Sequence, residues 1–339
     1  MNNLLRRWRS HRNRRMIASP YDSGYAFVGV GSHALQNLYP VIQYLGIKLK
    51  YICCRHADKI PDIERKFGVT ATTSLDTVLD DESIRGVFVC ASPDAHSGIV
   101  SRAVRSGKCV LVEKPPCRSL QELYSLIEDD PEGKVMVGMQ KRFSPFTRDL
   151  LRRLRSEKPR NYSLSYHKGA YPEGNPVTDL FIHPIDLCLF LFGKAEIKGC
   201  LRQDAKSGTT IQLLLAHENV NGTVELSTAY SWGRTEETLR VNTYAGEYRL
   251  DKMERLSFAA HPPRILGIPL EKTGLFTSSE QVMTLRDGFS PLATNNQLYS
   301  QGFLSEIKAF ADMVEFSKTD DAPLKSMVNT YNILNYLDS

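Results

Sequence analysis

Five short runs, apolar from end to end, recur through the first part of the chain: Tyr25–Val30, Leu49–Cys54, Gly86–Ala91, Cys109–Val112 and Val135–Gly138. Segments with helical spacing separate them, as in residues 32–45, where Leu35, Leu38, Ile42 and Leu45 share one side. A strand that alternates polar and apolar residues buries one face, whereas a run apolar throughout is buried on both. Such runs with helices between them predict a doubly wound parallel sheet, an α/β domain.

The pattern changes after about residue 155. One helix is predicted over Asp179–Phe192, closed by Gly193 as a C-cap. Around it lie β-rich runs at 162–168, 196–203, 209–216, 221–230, 238–244 and 247–251, with Asn221-Gly222 and Ala245-Gly246 as hairpin turns. These predict an α+β domain: a mostly antiparallel open sheet with helices on one face. Residues 259–300 carry Pro262-Pro263, Gly267 and Gly288 and take no assignment; helices near 302–316 and 325–337 close the chain. The expected division is a basic, flexible leader over 1–22, a dinucleotide-binding domain over 23–142 and a substrate and oligomerisation domain over 143–339. The terminal helices are free in this scheme to pack back on the first domain. A length of 339 residues favours two domains.

Charge is concentrated rather than spread. Residues 1–19 hold Arg6, Arg7, Arg9, Arg12, Arg14 and Arg15 and no acid, against a net charge of +5 for the whole chain, so the body carries −1. A nucleic-acid-binding body would spread its cations over a face, so none is expected. Met16–Ser19 is too short an apolar core for a secretory signal. The arm is read as a solvated leader, with contact to an anionic partner as the alternative. No apolar stretch is long enough to span a bilayer. Seven cysteines, an odd number with no C-x-x-C pair, indicate a reducing, cytoplasmic setting with no disulfide framework and no metal site.

Gly29-Val-Gly31-Ser32-His33-Ala34 follows the first run and opens a helix, the context that a G-x-G-x-x-A dinucleotide loop needs. Gly29 allows the turn, Gly31 lets backbone approach a pyrophosphate, and Ala34 keeps helix and strand close. NAD enzymes carry a carboxylate at the end of the second strand for the ribose 2′-hydroxyl. Here Cys54 stands there, followed by Arg55, with Lys59 a turn later. Without a carboxylate to repel a 2′-phosphate, and with Arg55 to pair with it, NADP(H) is expected over NAD(H). Stacking of Arg55 on adenine with tolerance of both cofactors is the alternative.

Two elements carry candidate chemistry. Glu113-Lys114-Pro115 ends the fourth run, at the strand end where open α/β sheets bind ligands. Asp179 and His183 stand four residues apart, so on a helix they share a face. A capped helix start with a satisfied core histidine explains the second element equally well when taken alone.

Taken together, these elements resemble the glucose–fructose oxidoreductase / inositol dehydrogenase (Gfo/Idh/MocA) family. The resemblance rests on Gly29–Ala34, Ser92-Pro93-Asp94-Ala95-His96, Gly107-Lys108 leading to Glu113-Lys114-Pro115, Val137–Pro145, Asp179-x-x-x-His183-x-x-Asp186 and the strand around Asn221–Glu225. It implies a Rossmann domain followed by an open-sheet domain. It implies that Lys114 hydrogen-bonds the reacting oxygen, that His183 is the acid/base and that Asp179 assists it. Glu113, Ser92 and His96 join the cofactor residues, although His96 as a helix cap is weighed first. Arg142, Tyr166, His167, Tyr171, Tyr230 and Trp232 are expected near the substrate. The implied activity is hydride transfer between a nicotinamide and a secondary alcohol or ketone of a sugar, sugar derivative or polyol, in a homodimer or homotetramer. An imine or enone reductase and a nicotinamide-sensing scaffold without turnover are the alternatives. The segment Glu173–Thr178 departs from the family's usual glycine cluster, and the Ser92–His96 loop is one residue short.

Overall fold

The computed structural model describes residues 4–10, 19–274, 276–286, 296–318 and 321–338. Arg12, Arg14 and Arg15 of the basic arm, and Gly288, lie outside the described residues. Residues 4–10, expected as flexible leader, are helical and exposed. Two compact units are present: Met1–Gly138 with Phe303–Ser326, and Met139–Gly302 with Met327–Ser339. Among the described residues, no helix is long and apolar enough to cross a membrane.

The first unit holds a six-stranded parallel sheet, β1 (Gly24–Val28), β2 (Leu49–Cys53), β3 (Thr70–Thr72), β4 (Ile84–Val89), β5 (Cys109–Glu113) and β6 (Val135–Gly138), in the order 3-2-1-4-5-6. This is the doubly wound order that places a crevice at the switch between β1 and β4. Phe27 on β1 stacks on Tyr39 at 4.3 Å and on its register partner Phe88 of β4 at 5.7 Å, so one face of the sheet is filled with rings. Only β3 escaped the sequence reading, because three residues, Thr70–Thr72, make no apolar run.

The helix Phe303–Phe316 belongs to this unit: Phe310 packs on Phe88 at 4.9 Å and on Tyr25 at 6.4 Å. The folded part also begins earlier than residue 23. Tyr21 is 2% exposed and its hydroxyl donates to Asp312 at 3.1 Å, while the Ser19 hydroxyl donates to the Leu45 carbonyl at 3.0 Å.

The second unit holds an eight-stranded sheet. Its strands are β7 (Pro159–Gly169), β8 (Ala195–Ala205), β9 (Gly208–His217), β10 (Asn221–Tyr230), β11 (Glu236–Thr243), β12 (Gly246–Asp251), β13 (Arg255–Ala260) and a last strand Glu280–Leu285. Neighbours are antiparallel except β7 and β10, which run parallel. Strands Arg255–Ala260 and Glu280–Leu285 fall inside or beside the stretch left unassigned from sequence.

The helix Ile182–Phe192 covers one face of the sheet, with Phe192 stacked on Tyr162 at 4.3 Å. Its end is fixed by hydrogen bonds: His217 Nδ1 lies 2.8 Å from the Gly193 carbonyl, and Nε2 lies 2.7 Å from the Tyr162 hydroxyl.

Two helices start with a wide, π-type turn, Ala34–Leu38 and Val177–Phe181. Each is followed closely by a proline, Pro40 and Pro184. A proline ring clashes with the carbonyl four residues back and has no N–H for it. The preceding turn widens to relieve that clash.

The unit boundary falls at Gly138 rather than residue 142, because Lys141 and Arg142 are tied into the second unit. Lys141 pairs with Glu237, and Arg142 makes a two-pronged pair with Asp186, one arm of it Nε to Oδ2 at 2.8 Å. The Thr330 hydroxyl donates to Asp186 Oδ1 at 3.3 Å. Arg142 and Asp186 are 3% and 2% exposed. Removing one member of such a pair strands the other charge. Asp186→Leu is therefore expected to destabilise by about 3–5 kcal/mol in urea denaturation. Adding Arg142→Met should recover a large part of that loss.

Candidate functional site

In the first unit the loop after β1 opens on a cavity of about 610 Å³. Gly29, Gly31, Cys54, Arg55, Lys59 and Ser92 are among its lining residues. The two glycines serve different purposes. Gly29 has φ +112°, and a β-carbon there would sit 2.1 Å from the Cys90 carbonyl oxygen, so the protein's own backbone requires glycine. At Gly31 a β-carbon would meet nothing within 4 Å. Its smallness has no internal cause, and the space it leaves opens on the cavity, as a pyrophosphate cradle needs. Ala34 is fully buried beneath the loop, and Ser32 is exposed. These residues fit a dinucleotide.

At the end of β2, Cys54 is buried, and its thiol donates to the His56 carbonyl at 3.3 Å. No carboxylate occupies that place. Arg55 and Lys59 are exposed on the cavity wall and make no ion pair among the described residues.

His96 corrects an expectation. It is neither a helix cap nor a cavity residue. Its ring is 1% exposed, with Nδ1 2.8 Å from the Pro115 carbonyl and Nε2 3.1 Å from the Ala91 carbonyl. It ties the loop after β4 to the loop after β5. Burial pushes its pKa down, keeping the ring neutral, so it donates to one carbonyl at a time.

Glu113 is buried, its Oε2 accepting the Lys114 N–H at 3.3 Å and its Oε1 lying 3.2 Å from His33 Nε2. Lys114, half-buried, follows at the strand end, where its peptide bond to Pro115 is cis.

In the second unit the Val177–Phe181 turn carries Asp179, and the helix that follows carries His183, 9% exposed. The Thr178 hydroxyl lies 3.3 Å from Asp179 Oδ1. At Gly174 a β-carbon would fall 2.3 Å from Asp179 Oδ2 and 3.4 Å from a Tyr171 ring carbon. Burial pushes the Tyr171 phenol up, and the Asp179 carboxylate hydrogen-bonded to it adds to the rise. Tyr171, expected near the substrate, and Asp179, expected beside the acid/base, thus meet. Gly174 was missed: a glycine in an irregular loop gives no sign of the side chain it must admit.

The remaining substrate candidates do not gather together. Along β7 side chains alternate. Tyr162, Leu164 and Tyr166 are buried, and Tyr166 meets Phe181 edge-on at 6.4 Å, which puts this set against the helices. His167 takes the other face. There it stacks flat on Tyr230 at 4.1 Å and pairs with Glu225 and Glu236 at 3.1 and 3.5 Å.

Arg142 is committed to Asp186. Trp232 is half exposed and donates its indole N–H to the Ala170 carbonyl at 2.9 Å. Two residues missed from sequence join Tyr166 instead: the ammonium groups of Lys168 and Lys141 lie 4.5 and 4.9 Å from its ring centroid. Strand alternation, counted from Tyr166, picks out Lys168. Among the described residues no group of His, Cys, Asp or Glu is arranged to hold a metal ion.

The family described as "Oxidoreductase family, NAD-binding Rossmann fold" matches residues 23–140. The scyllo-inositol 2-dehydrogenase (NAD(+)) of Bacillus subtilis is 33% identical over 132 residues, 35% of this chain and 38% of that protein. The chain spans about two fifths of the length of such curated relatives. A dehydrogenase from Chromobacterium violaceum superposes with a TM-score of 0.80 at 17% identity, over 93% of this chain and 94% of that one. KijD10, a 3-ketoreductase from Actinomadura kijaniata solved with TDP-benzene and NADP, gives 0.71 at 16% identity, over 92% and 96%. The low identities of the last two make the likeness one of fold, while the sequence match makes residues 23–140 similar to the NAD-binding Rossmann domain of the Gfo/Idh/MocA oxidoreductases.

Proposed function

We propose that the chain is an NADP(H)-dependent oxidoreductase that interconverts a secondary alcohol and a ketone on a sugar, sugar derivative or polyol. The observation that carries the reading is the cavity beside Gly31, with Cys54 where a carboxylate would stand and Arg55 and Lys59 on its wall. When bound, the nicotinamide donates or accepts a hydride. A protonated ring nitrogen of His183 gives its proton to the carbonyl oxygen in reduction, and the neutral ring takes it from the hydroxyl in oxidation. An imidazole can both give and take a proton, so one residue serves both directions. The resemblance assigns Lys114 Nζ to stabilise charge that develops on a reacting oxygen. Asp179, hydrogen-bonded to Tyr171, orients the polar surroundings of His183. The inositol dehydrogenases among the relatives support the substrate class.

The open face of the eight-stranded sheet supports a homo-oligomer. Leu201 and Leu214 are 72% and 52% exposed there, beside cavities of about 530 and 670 Å³. Exposed apolar patches of this kind mark contact surfaces.

Three outcomes are expected. Arg55→Ala should weaken NADPH binding about tenfold or more in fluorescence titration and leave NADH nearly unchanged, since a charge-assisted pair to phosphate is lost; an unmoved NADPH/NADH ratio refutes the cofactor assignment. His183→Ala and Lys114→Ala should each cost about 10²–10⁴-fold in kcat on the best substrate of a sugar and polyol panel. Retained turnover in both would end the catalytic reading. Sedimentation should give a mass above that of one chain, and Leu201→Asp with Leu214→Asp should reduce it to that of one chain.

A further inference from the structure

One group in the first unit has no part in the reading above. Glu306, on the helix Phe303–Phe316, is 0% exposed, and neither of its carboxyl oxygens has a hydrogen-bond partner. An ionised carboxylate in a dry site without a donor is strongly disfavoured. Burial first, and then the nearby Glu113 carboxylate, push its pKa well above the ordinary glutamate value of 4.5. Glu113 is buried too, and its Oε1 also lacks a hydrogen bond. His33 completes the cluster. Its Nε2 lies 3.2 Å from Glu113 Oε1 without the geometry of a hydrogen bond, and its ring sits 5.7 Å from that of Phe303, where the Glu306 helix begins. The Asn37 amide nitrogen is 3.1 Å from His33 Nδ1, an arrangement that leaves the ring hydrogen on Nε2.

We propose that Glu306 is a positioning residue for the dinucleotide: it stays a neutral acid, donates its hydrogen to Oε1 of Glu113, and through Glu113 fixes His33 and the backbone at Lys114. Each oxygen of Glu113 then has a task. Oε2 holds the Lys114 N–H, and Oε1 receives the Glu306 hydrogen while facing the loop histidine. This rests on the reading that the loop 29–34 binds a dinucleotide. Among the described residues, the other elements packed on the helix offer Glu306 no competing charge. The segment 34–45 brings Tyr39, whose hydroxyl donates to the Gly29 carbonyl, and Tyr44, which is exposed; β4 brings Arg85, exposed at its start, and β5 brings Cys109 besides Glu113. On the helix itself Lys308 pairs with Asp312, and Glu315 accepts from Tyr25 and Ser23.

The sign of the pH dependence follows. Above about pH 4.5 the unfolded chain has released a proton that the folded chain still holds. Stability therefore falls as pH rises from that value toward the raised one. Once Glu306 ionises, two facing carboxylates repel, Glu113 loses its donor, and dinucleotide affinity drops on the alkaline side.

The test combines infrared difference spectra with NADPH and NADH titrations from neutral to alkaline pH, on wild type, Glu306→Gln and Glu306→Leu. Wild type should show the carbonyl stretch of a protonated carboxyl at neutral pH, and Glu306→Gln should lack it. Glu306→Gln keeps a donor and should bind the cofactor within about twofold of wild type, without the alkaline fall. Glu306→Leu should bind about tenfold more weakly throughout. A missing carboxyl band in wild type, a wild-type alkaline fall in Glu306→Gln, or unchanged binding by Glu306→Leu overturns the proposal. The Glu306→Gln profile suffices if the leucine variant fails to fold. Wild type that binds neither cofactor refutes the dinucleotide reading and the positioning role with it, and the infrared band still decides whether the neutral acid exists.

Discussion

The backbone of Gly29 runs so close to the Cys90 carbonyl that no side chain fits between them. That contact holds the end of β1 against the end of β4, and a circuit of further contacts closes around it. Cys90 leads to Ala91, whose carbonyl faces His96; His96 also faces the Pro115 carbonyl; Pro115 leads back through Lys114 to Glu113; and Glu113 faces His33 of the glycine loop. Three strand ends are thereby held by a ring of backbone carbonyls and buried titratable groups. A cofactor loop is useful only if it keeps its shape before the ligand arrives, because ordering it on binding costs affinity.

The second unit solves a similar problem with charge. Arg142 with Asp186 and Lys141 with Glu237 are ion pairs in the interior, where an apolar filling would pack as well or better. Their use is directional. An oily contact tolerates sliding, whereas a two-pronged guanidinium pair accepts one geometry. The helix Ile182–Phe192 is held partway along by Asp186 and at its end by His217 on the Gly193 carbonyl. His183 lies three residues before the first of these anchors, about one turn away.

The doubly wound domain was legible because burial on both faces leaves an unmistakable apolar run, and the glycine loop because backbone proximity admits few residues. β3 was invisible: Thr70–Thr72 is short and polar at the sheet's edge. Arg142 and His96 stand in motifs that advertise chemistry, yet both are used in construction. A sequence shows that a polar residue is present; the element that faces it decides whether it binds a ligand or another side chain. His167 and Tyr230 were grouped with Tyr166 on composition, and period-two geometry separated them. Lys168, Gly174 and Glu306 were overlooked because their meaning lies in contacts distant along the chain.

Tyr166 and His167 are adjacent residues that belong to opposite surfaces, one beneath the helices and one on the open side of the sheet. A point change on β7 therefore alters one surface and spares the other, so the two surfaces can drift independently during descent. A single inserted or deleted residue in the middle of that strand exchanges the two surfaces at once. The history of such a chain should hence be written in substitutions along β7, with changes in length confined to the turns at its ends.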